Sequence, residues 1–190
     1  MSQPPKQNLP QLIILDRDGV INEDSDQYIK SPEEWQAIPG SLEAIGLLTQ
    51  QNIPVTVATN QSGIARGYFD LSTLTAMHQK MLKGIETHQG KIQHIALCPH
   101  GPDEDCVCRK PKIGMLEEIS QALSIPLSKK VYFIGDSYKD IQAARKAGCT
   151  PILVKTGKGK QTFKAHSELE NNIKIYDNLR DFTKTLLDLK

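Results

Sequence analysis

Short β-rich apolar runs alternate with amphipathic segments along most of the chain, and this alternation limits the fold more than any other feature. The predicted strands lie at 12–15, 54–59, 92–97, 131–134 and 151–154, with a further short strand at 174–176. The predicted helices lie near 41–51, 74–85 (with Ser72 as N-cap), 113–124, 138–147 and 178–188. Strands that alternate with helices predict an α/β fold whose parallel sheet is covered by helices.

The chain has 190 residues and no linker or change of composition divides it, so we expect a single domain, 1–190, with residues 1–10 as a flexible lead-in. It has 23 basic and 22 acidic side chains, a balance that gives no electrostatic footprint for nucleic acid or an anionic membrane. No apolar run could span a bilayer, and residues 1–11 do not resemble a signal peptide. We therefore expect a monomeric, cytoplasmic protein whose thiols stay reduced.

Polar groups follow four of the predicted strands, where ligands bind in such folds. Asp16 and Asp18 are two residues apart after the first strand, and like charges this close require neutralisation. A Mg²⁺ ion would provide it, since it prefers oxygen ligands. Asp136 ends another strand and could complete the site, and Asp140 could reach the same centre. Asp-x-Asp-Gly alone is also a turn signal, but the turn interpretation does not explain the other strand ends.

Two short motifs, Cys98-Pro99-His100 and Cys106-Val107-Cys108, supply three thiols and one imidazole. Such a set fits a closed, tetrahedral structural zinc site in a loop over 98–108. A disulfide, metal-free thiols and a catalytic zinc are the alternatives, and a catalytic zinc would need an open coordination position. Cys108 directly precedes Arg109 and Lys110, so the ion would anchor these cations. Cys149 stands apart and is expected in the core.

Four segments resemble, in register, the motifs of the haloacid-dehalogenase-type phosphatases. They are residues 15–22 (LDRDGVIN), 58–67 (ATNQSGIARG), 108–111 (CRKP) and 135–140 (GDSYKD). The likeness covers roughly residues 11 to 160. Within the family, the chain resembles the branch of heptose-bisphosphate and histidinol-phosphate phosphatases, which has a minimal cap and a zinc loop. The resemblance implies a doubly wound, mostly parallel sheet and a two-step mechanism through an aspartyl phosphate.

Catalytic roles follow from this resemblance, position by position. Asp16 would attack phosphorus, and Asp18 would protonate the leaving alkoxide and then activate the hydrolytic water. Mg²⁺ would be held by Asp16, by the backbone carbonyl of Asp18 and by Asp136. Thr59 would bind a phosphoryl oxygen, and Lys110 would supply a fixed positive charge.

Substrate contacts are implied for a second group of residues. Arg109, with its planar guanidinium, suits a second phosphate. The other expected contacts are Arg17, Asp24, Tyr28, Asn60, Gln61 and Ser62. Ser137 stands where some relatives carry a lysine, which removes one expected phosphate contact. Residues 155–160 (KTGKGK) lack the order of a P-loop and are interpreted as a mobile basic loop.

The function implied is hydrolysis of a small phosphorylated metabolite, the C7 phosphate of D-glycero-D-manno-heptose 1,7-bisphosphate, in heptose supply for lipopolysaccharide or related glycans. Histidinol-phosphate phosphatase is the alternative within the same branch. A polynucleotide 3′-phosphatase is disfavoured, because the charge is balanced and basic and aromatic residues do not interleave. A zinc-braced binding module without catalysis is disfavoured, because Asp16 and Asp18 are both present.

Overall fold

The structure, a computed structural model, describes residues 9–189; most of the expected lead-in, residues 1–8, lies outside this range. Its strands are β1 (Leu12–Leu15), β2 (Val55–Asn60), β3 (Ile95–Cys98), β4 (Val131–Gly135), β5 (Thr150–Val154) and β6 (Lys174–Tyr176). Its α-helices are α1 (Ser41–Gln50), α2 (Leu71–Glu86), α3 (Gly114–Leu123), α4 (Tyr138–Lys146), α5 (Gly159–Ala165) and α6 (Leu179–Leu187). The six strands form one sheet in the order β3-β2-β1-β4-β5-β6, and every pairing is parallel. The predicted doubly wound α/β fold is confirmed.

Three local predictions are corrected. Asp70, not Ser72, caps α2, because Asp70 has extended backbone angles and its carboxylate accepts a hydrogen bond from the Thr73 N–H at 2.7 Å. β3 begins at Ile95 rather than Ile92, where parallel pairing with β2 starts. The stretch after β5 was expected to be a loop, but it forms α5 and a 3₁₀ turn, Ser167–Asn171.

The central strand β1 is buried on both faces, and its side chains alternate between two apolar clusters. Ile13 and Leu15 belong to the cluster that holds apolar side chains of α1, α2 and α6. Leu12 and Ile14 belong to the cluster formed with α3 and α4. Each such buried side chain contributes about 1.5–3 kcal/mol from apolar burial, so the sheet centre is a rigid base.

The strand order changes direction between β1 and β4, which are adjacent in the sheet although two strands and three helices separate them along the chain. The chain beyond these two strands therefore frames the crevice where ligands bind in this architecture. The longest connection on this side, residues 16–40, contains only turns and isolated bridges, in agreement with the expected minimal cap. Within residues 9–189, no helix is long and apolar enough to cross a membrane.

Candidate active site

Asp16 follows β1, and the sheet fixes its backbone because its N–H donates to the Ile134 carbonyl of β4 at 2.9 Å. The carboxylate oxygen Oδ1 accepts a hydrogen bond from the Arg17 N–H at 2.8 Å and lies 2.8 Å from Lys110 Nζ. Burial raises the pKa of Asp16 to about 7, although the charge of Lys110 opposes the shift. Two donors, the Arg17 N–H and Lys110 Nζ, thus orient the Asp16 carboxylate at the point where the strand order changes direction.

Lys110 is 2% exposed, and its ammonium group has three oxygen neighbours. Nζ lies 2.8 Å from Asp16, 2.7 Å from Asp140 and 2.9 Å from the Ala58 carbonyl. Its backbone N–H donates to the Asn60 side chain at 3.1 Å. Burial alone would lower the pKa of Lys110, but the carboxylates of Asp140 and Asp16 raise it, so the group stays charged.

Asp16, Asp136 and Asp140 each offer a carboxylate oxygen, and these three atoms lie within 4.8 Å of one another. Burial, followed by the charges of Asp16 and Asp140, raises the pKa of Asp136 to about 8. Asp140 also closes a capping box on α4, where Oδ2 accepts from the N–H and hydroxyl of Ser137 at 3.0 and 2.6 Å. Ser137 is therefore a helix cap that fixes Asp140, a role that was not predicted from the sequence.

Asp18 points into a separate network of hydrogen bonds. Its carboxylate accepts from Arg17 Nη2 at 2.8 and 3.0 Å, from Asn22 Nδ2 at 2.8 Å and from Gln61 Nε2 at 2.8 Å. Burial alone would raise the pKa of Asp18, but the Arg17 charge and these hydrogen bonds hold it below its ordinary value. Asn22 was not predicted, because a polar residue just after a glycine turn carries no distinctive signal.

Arg17 was expected to contact substrate, and in the structure its guanidinium group is hydrogen-bonded to protein side chains. It is 1% exposed, its Nε and Nη2 donate to Asp18, and its Nη1 lies 3.4 Å from the ring Nε2 of His78 on α2. The guanidinium group is committed to these two partners, although the side chain contributes to the cleft wall. Arg17 is thus placed to orient Asp18, and its expected contact with substrate stays a prediction.

The loop after β2 brings further predicted residues to the site. Gln61 Nε2 donates to the Thr59 hydroxyl at 2.8 Å as well as to Asp18. Thr59 is buried near the end of β2, and the three residues after it, Asn60, Gln61 and Ser62, line the cleft. The side-chain amide of Gln61 therefore links Thr59, the predicted phosphate-binding residue, to Asp18, the predicted acid–base residue.

The cleft has a volume of about 430 Å³. Its walls include the predicted residues Asp16, Arg17, Asp18, Asp24, Tyr28, Asn60, Gln61, Ser62, Arg109, Lys110 and Asp136. Sequence reasoning missed Lys139 and Lys158, which also line it. A larger cavity of about 600 Å³ lies at the amino ends of β4 and β6 and contains none of the clustered carboxylates, so we assign the chemistry to the smaller one.

The four predicted zinc ligands converge. Cys98 Sγ lies 3.6 Å from His100 Nδ1 and 3.7 Å from Cys106 Sγ, and His100 Nδ1 lies 3.3 Å from Cys108 Sγ. Zinc–sulfur bonds of ~2.3 Å in a tetrahedron separate the sulfurs by about 3.7 Å, so this donor set fits zinc. Arg109 Nη1 donates to the His100 carbonyl at 3.1 Å, which ties the cluster to the cationic segment. Cys149 is buried in the α3–α4 cluster, as expected.

Known proteins resemble this chain over nearly all of its length. A D-glycero-beta-D-manno-heptose-1,7-bisphosphate 7-phosphatase of Pseudomonas aeruginosa is 51% identical over 93% of this chain and 97% of its own. A D-glycero-alpha-D-manno-heptose-1,7-bisphosphate 7-phosphatase of Campylobacter jejuni is 38% identical over 87% of this chain and 96% of its own.

A solved structure and a family model agree with these relatives. The crystal structure of the D,D-heptose 1,7-bisphosphate phosphatase of Bordetella bronchiseptica, in complex with magnesium and phosphate, matches with a TM-score of 0.89 and 48% identity. The match covers 94% of this chain and 98% of that one. The HAD-hydrolase-like family model matches residues 107–182. The chain therefore belongs to the haloacid-dehalogenase-like phosphatases, in the family of the heptose-1,7-bisphosphate 7-phosphatases.

Proposed function

We propose that this protein is a magnesium-dependent phosphatase that removes the C7 phosphate from D-glycero-β-D-manno-heptose 1,7-bisphosphate. The observation that carries the proposal is the cluster of Asp16, Lys110 and Asp136 at the strand switch, inside a cleft. Support for the β anomer comes from the relative at 51% identity, whereas the relative named for the α anomer is 38% identical.

The residues at the strand switch fit a divalent cation. Three carboxylate oxygens lie within 4.8 Å of one another with one neighbouring ammonium group, so negative charge remains in excess. Both carboxylate oxygens of Asp140 are engaged, Oδ1 by Lys110 and Oδ2 by Ser137, whereas the contacts of Asp16 and Asp136 each fall on one oxygen. We therefore assign Asp16 and Asp136 as ligands, together with the backbone carbonyl of Asp18. When bound there, Mg²⁺ would offset the charge of the phosphate and stabilise charge in the transition state.

In the first step, a carboxylate oxygen of Asp16 attacks phosphorus, and the bond between phosphorus and the C7 oxygen breaks. Asp18 gives its proton to the departing alkoxide. In the second step, Asp18 takes a proton from water, the water oxygen attacks phosphorus, and the bond to Asp16 breaks. Inorganic phosphate leaves, Asp16 is a free carboxylate again, and Asp18 carries the proton that it took from water, which it releases when the cleft empties.

The acid role of Asp18 requires a proton that its resting surroundings disfavour. Arg17, Asn22 and Gln61 all donate to its carboxylate, and they keep its pKa low. A bound phosphate brings negative charge to the same cleft, which increases the proton affinity of a nearby carboxylate. We infer that Asp18 takes up its proton with the substrate and not before.

The remaining assignments follow the placement of the side chains. Lys110 supplies a fixed positive charge to the phosphoryl oxygens, with Thr59 and the 60–62 loop as hydrogen-bonding partners. Zinc held by Cys98, His100, Cys106 and Cys108 keeps Arg109 in place for the non-reacting phosphate. The single sheet supports one domain. A monomer, a cytoplasmic location and the absence of nucleic-acid partners remain predictions.

The proposal is tested by kcat/KM on four substrates, with Mg²⁺ and after chelation by EDTA. They are the β and α anomers of the heptose bisphosphate, histidinol phosphate and a 3′-phosphorylated oligonucleotide. We expect the β anomer to be preferred and EDTA to abolish turnover. A preference for histidinol phosphate would contradict the proposed substrate but not the proposed mechanism. Phosphate release in EDTA would contradict the metal assignment.

A further inference from the structure

Lys158 lies in the turn between β5 and α5, and the backbone of this turn is fixed to the carboxylate cluster. Its N–H donates to Asp136 Oδ2 at 2.7 Å. Two residues earlier, the Thr156 hydroxyl donates to the Gly19 carbonyl at 2.6 Å, and from α5 the Thr162 hydroxyl donates to the Asp136 carbonyl at 2.8 Å. The segment that was expected to be a mobile basic loop is thus bonded to the site on both sides of Lys158.

Two glycines allow this close approach. Gly19 and Gly157 have positive φ angles of 81° and 52°. A Cβ atom built on either residue would collide with Oδ2 of Asp136, and one on Gly157 would also meet the Cα of Gly19. The turn therefore lies directly against the site, and the position of Lys158 relative to Asp136 is set by backbone contacts.

The side chain of Lys158 reaches over the cleft to the segment that follows β1. Its Nζ lies 3.3 Å from Asp24 Oδ2 and 3.4 Å from Asp26 Oδ1. Asp24 is mostly buried, with 20% of its side chain exposed, while Asp26 is 92% exposed. Asp24, Asp26 and Lys158 all line the same cleft as Asp16 and Arg109.

An aromatic pair also holds this segment. Tyr28 has a φ of 66°, which is unfavourable for a residue with a side chain, and its ring packs on that of Tyr68 with centroids 5.0 Å apart. Tyr68 belongs to the loop after β2. Residues 24–28, which we call the cleft segment, therefore span from the β2 loop to the β5 turn.

We propose that Lys158 is a specificity residue, which holds the cleft segment across the cleft and contacts the hydroxyl-rich, anionic part of the substrate that does not react. In this arrangement Asp24 accepts hydrogen bonds from sugar hydroxyls, and the ammonium group faces the second phosphate. Lys158 is 49% exposed and Asp26 is 92% exposed, and ion pairs of exposed side chains contribute little to stability, so folding alone does not explain three charged groups gathered at the cleft. The inference rests on the proposed function and extends it to a residue outside the four motifs.

The test compares Lys158→Met with Lys155→Met, in the same segment. Lys155 pairs with Asp177 at 3.1 Å and does not line the cleft. The substrates are the heptose bisphosphate and p-nitrophenyl phosphate, which lacks hydroxyls and a second phosphate. For Lys158→Met we expect KM for the bisphosphate to rise about tenfold with kcat changed much less, as for loss of one charge-assisted contact. The ratio of kcat/KM for the two substrates should fall by the same factor, while Lys155→Met keeps the wild-type ratio.

Two further measurements separate this role from a structural one. Lys158→Arg should restore most of the selectivity, and amide hydrogen exchange in the cleft segment should be faster in Lys158→Met than in the wild type. A Lys158→Met protein with the wild-type ratio overturns the inference and leaves the proposed function intact. A wild-type protein that hydrolyses p-nitrophenyl phosphate but not the bisphosphate overturns both.

Discussion

The ammonium nitrogen of Lys110, a side chain that is 2% exposed, lies 2.8 Å from a carboxylate oxygen of Asp16. Asp140, at 2.7 Å, is the second acidic neighbour of the same nitrogen. One positive charge therefore faces two carboxylates, with Asp136 close by. This imbalance is the physical reason why the site suits a divalent cation and an anionic substrate together.

Replacing Lys110 by methionine should lower kcat by about 10²–10³-fold, because a preorganised charge next to the phosphoryl group is lost. It should also destabilise the metal-free protein by about 3–5 kcal/mol, since the buried carboxylates lose their partner. Steady-state kinetics and urea unfolding in EDTA measure the two effects. The matched control is Lys129→Met, at an exposed position before β4, and similar losses in both variants would contradict this role of Lys110.

Replacing Asp18 by asparagine separates the two proposed steps. The first step with p-nitrophenyl phosphate needs no proton, because nitrophenolate is a good leaving group, whereas a sugar alkoxide needs one. We expect a rapid burst of nitrophenol followed by turnover slower by about 10²–10⁴-fold, as the phosphorylated protein accumulates. Stopped-flow absorbance records the burst, and equal slowing of burst and steady state would argue against the acid–base role of Asp18.

Removal of the zinc should impair catalysis because Arg109 and Lys110 are no longer held in position. Cys106→Ala is expected to lose the ion and to reduce kcat, because the segment that carries Arg109 and Lys110 loses its anchor. Cys149→Ala, at a buried thiol outside the cluster, should keep the zinc. Metal content by mass spectrometry and kcat are measured on the same samples. Full activity in a zinc-free Cys106→Ala protein would refute the anchoring role.

His78 gives a prediction for acid stability. Burial, with the charge of Arg17, lowers the pKa of His78 to about 4, from 6.5 in an unfolded chain. Between pH 6.5 and 4, His78 therefore binds a proton in the unfolded chain but not in the folded protein. The free energy of unfolding falls as the pH drops through this window. The slope from one such group is at most about 1.4 kcal/mol per pH unit.

His78→Gln should consequently lose less stability than the wild type between pH 7 and pH 5. The free energy of unfolding in urea at the two pH values measures the difference, with His88→Gln as a control at an exposed position. Identical pH dependence in His78→Gln and the wild type would show that the pKa of His78 is the same in the folded protein and the unfolded chain.

The sequence predicted the parts of the site that depend on local pattern. Asp16 and Asp136 directly follow apolar strands, so the architecture alone brings them to one edge of the sheet. The Cys98–His100 and Cys106–Cys108 pairs could be predicted as metal ligands from their residue types and spacing. In the structure their sulfur and nitrogen atoms lie close together. The fold could be predicted from hydrophobic periodicity, because the spacing of apolar residues in each element shows whether one face or both faces are buried.

The parts that could not be predicted depend on contacts between distant segments. Arg17 Nη1 lies next to His78, 61 residues further along the chain, and nothing near Arg17 in the sequence marks this contact. Lys158 lies in a glycine-rich basic stretch whose order comes from Thr156, Gly19 and Asp136. Such hydrogen bonds form only after the sheet is assembled, so local propensity carries no information about them.

The central claim is that Asp16 bonds covalently to phosphorus. The most direct measurement is rapid acid quench of the wild type and Asp16→Asn with substrate labelled with ³²P at the reacting phosphate, followed by peptide mapping. We expect label on the peptide that contains Asp16 in the wild type, and neither label nor turnover in Asp16→Asn. Turnover at the wild-type rate in Asp16→Asn, or label on another residue, would contradict it.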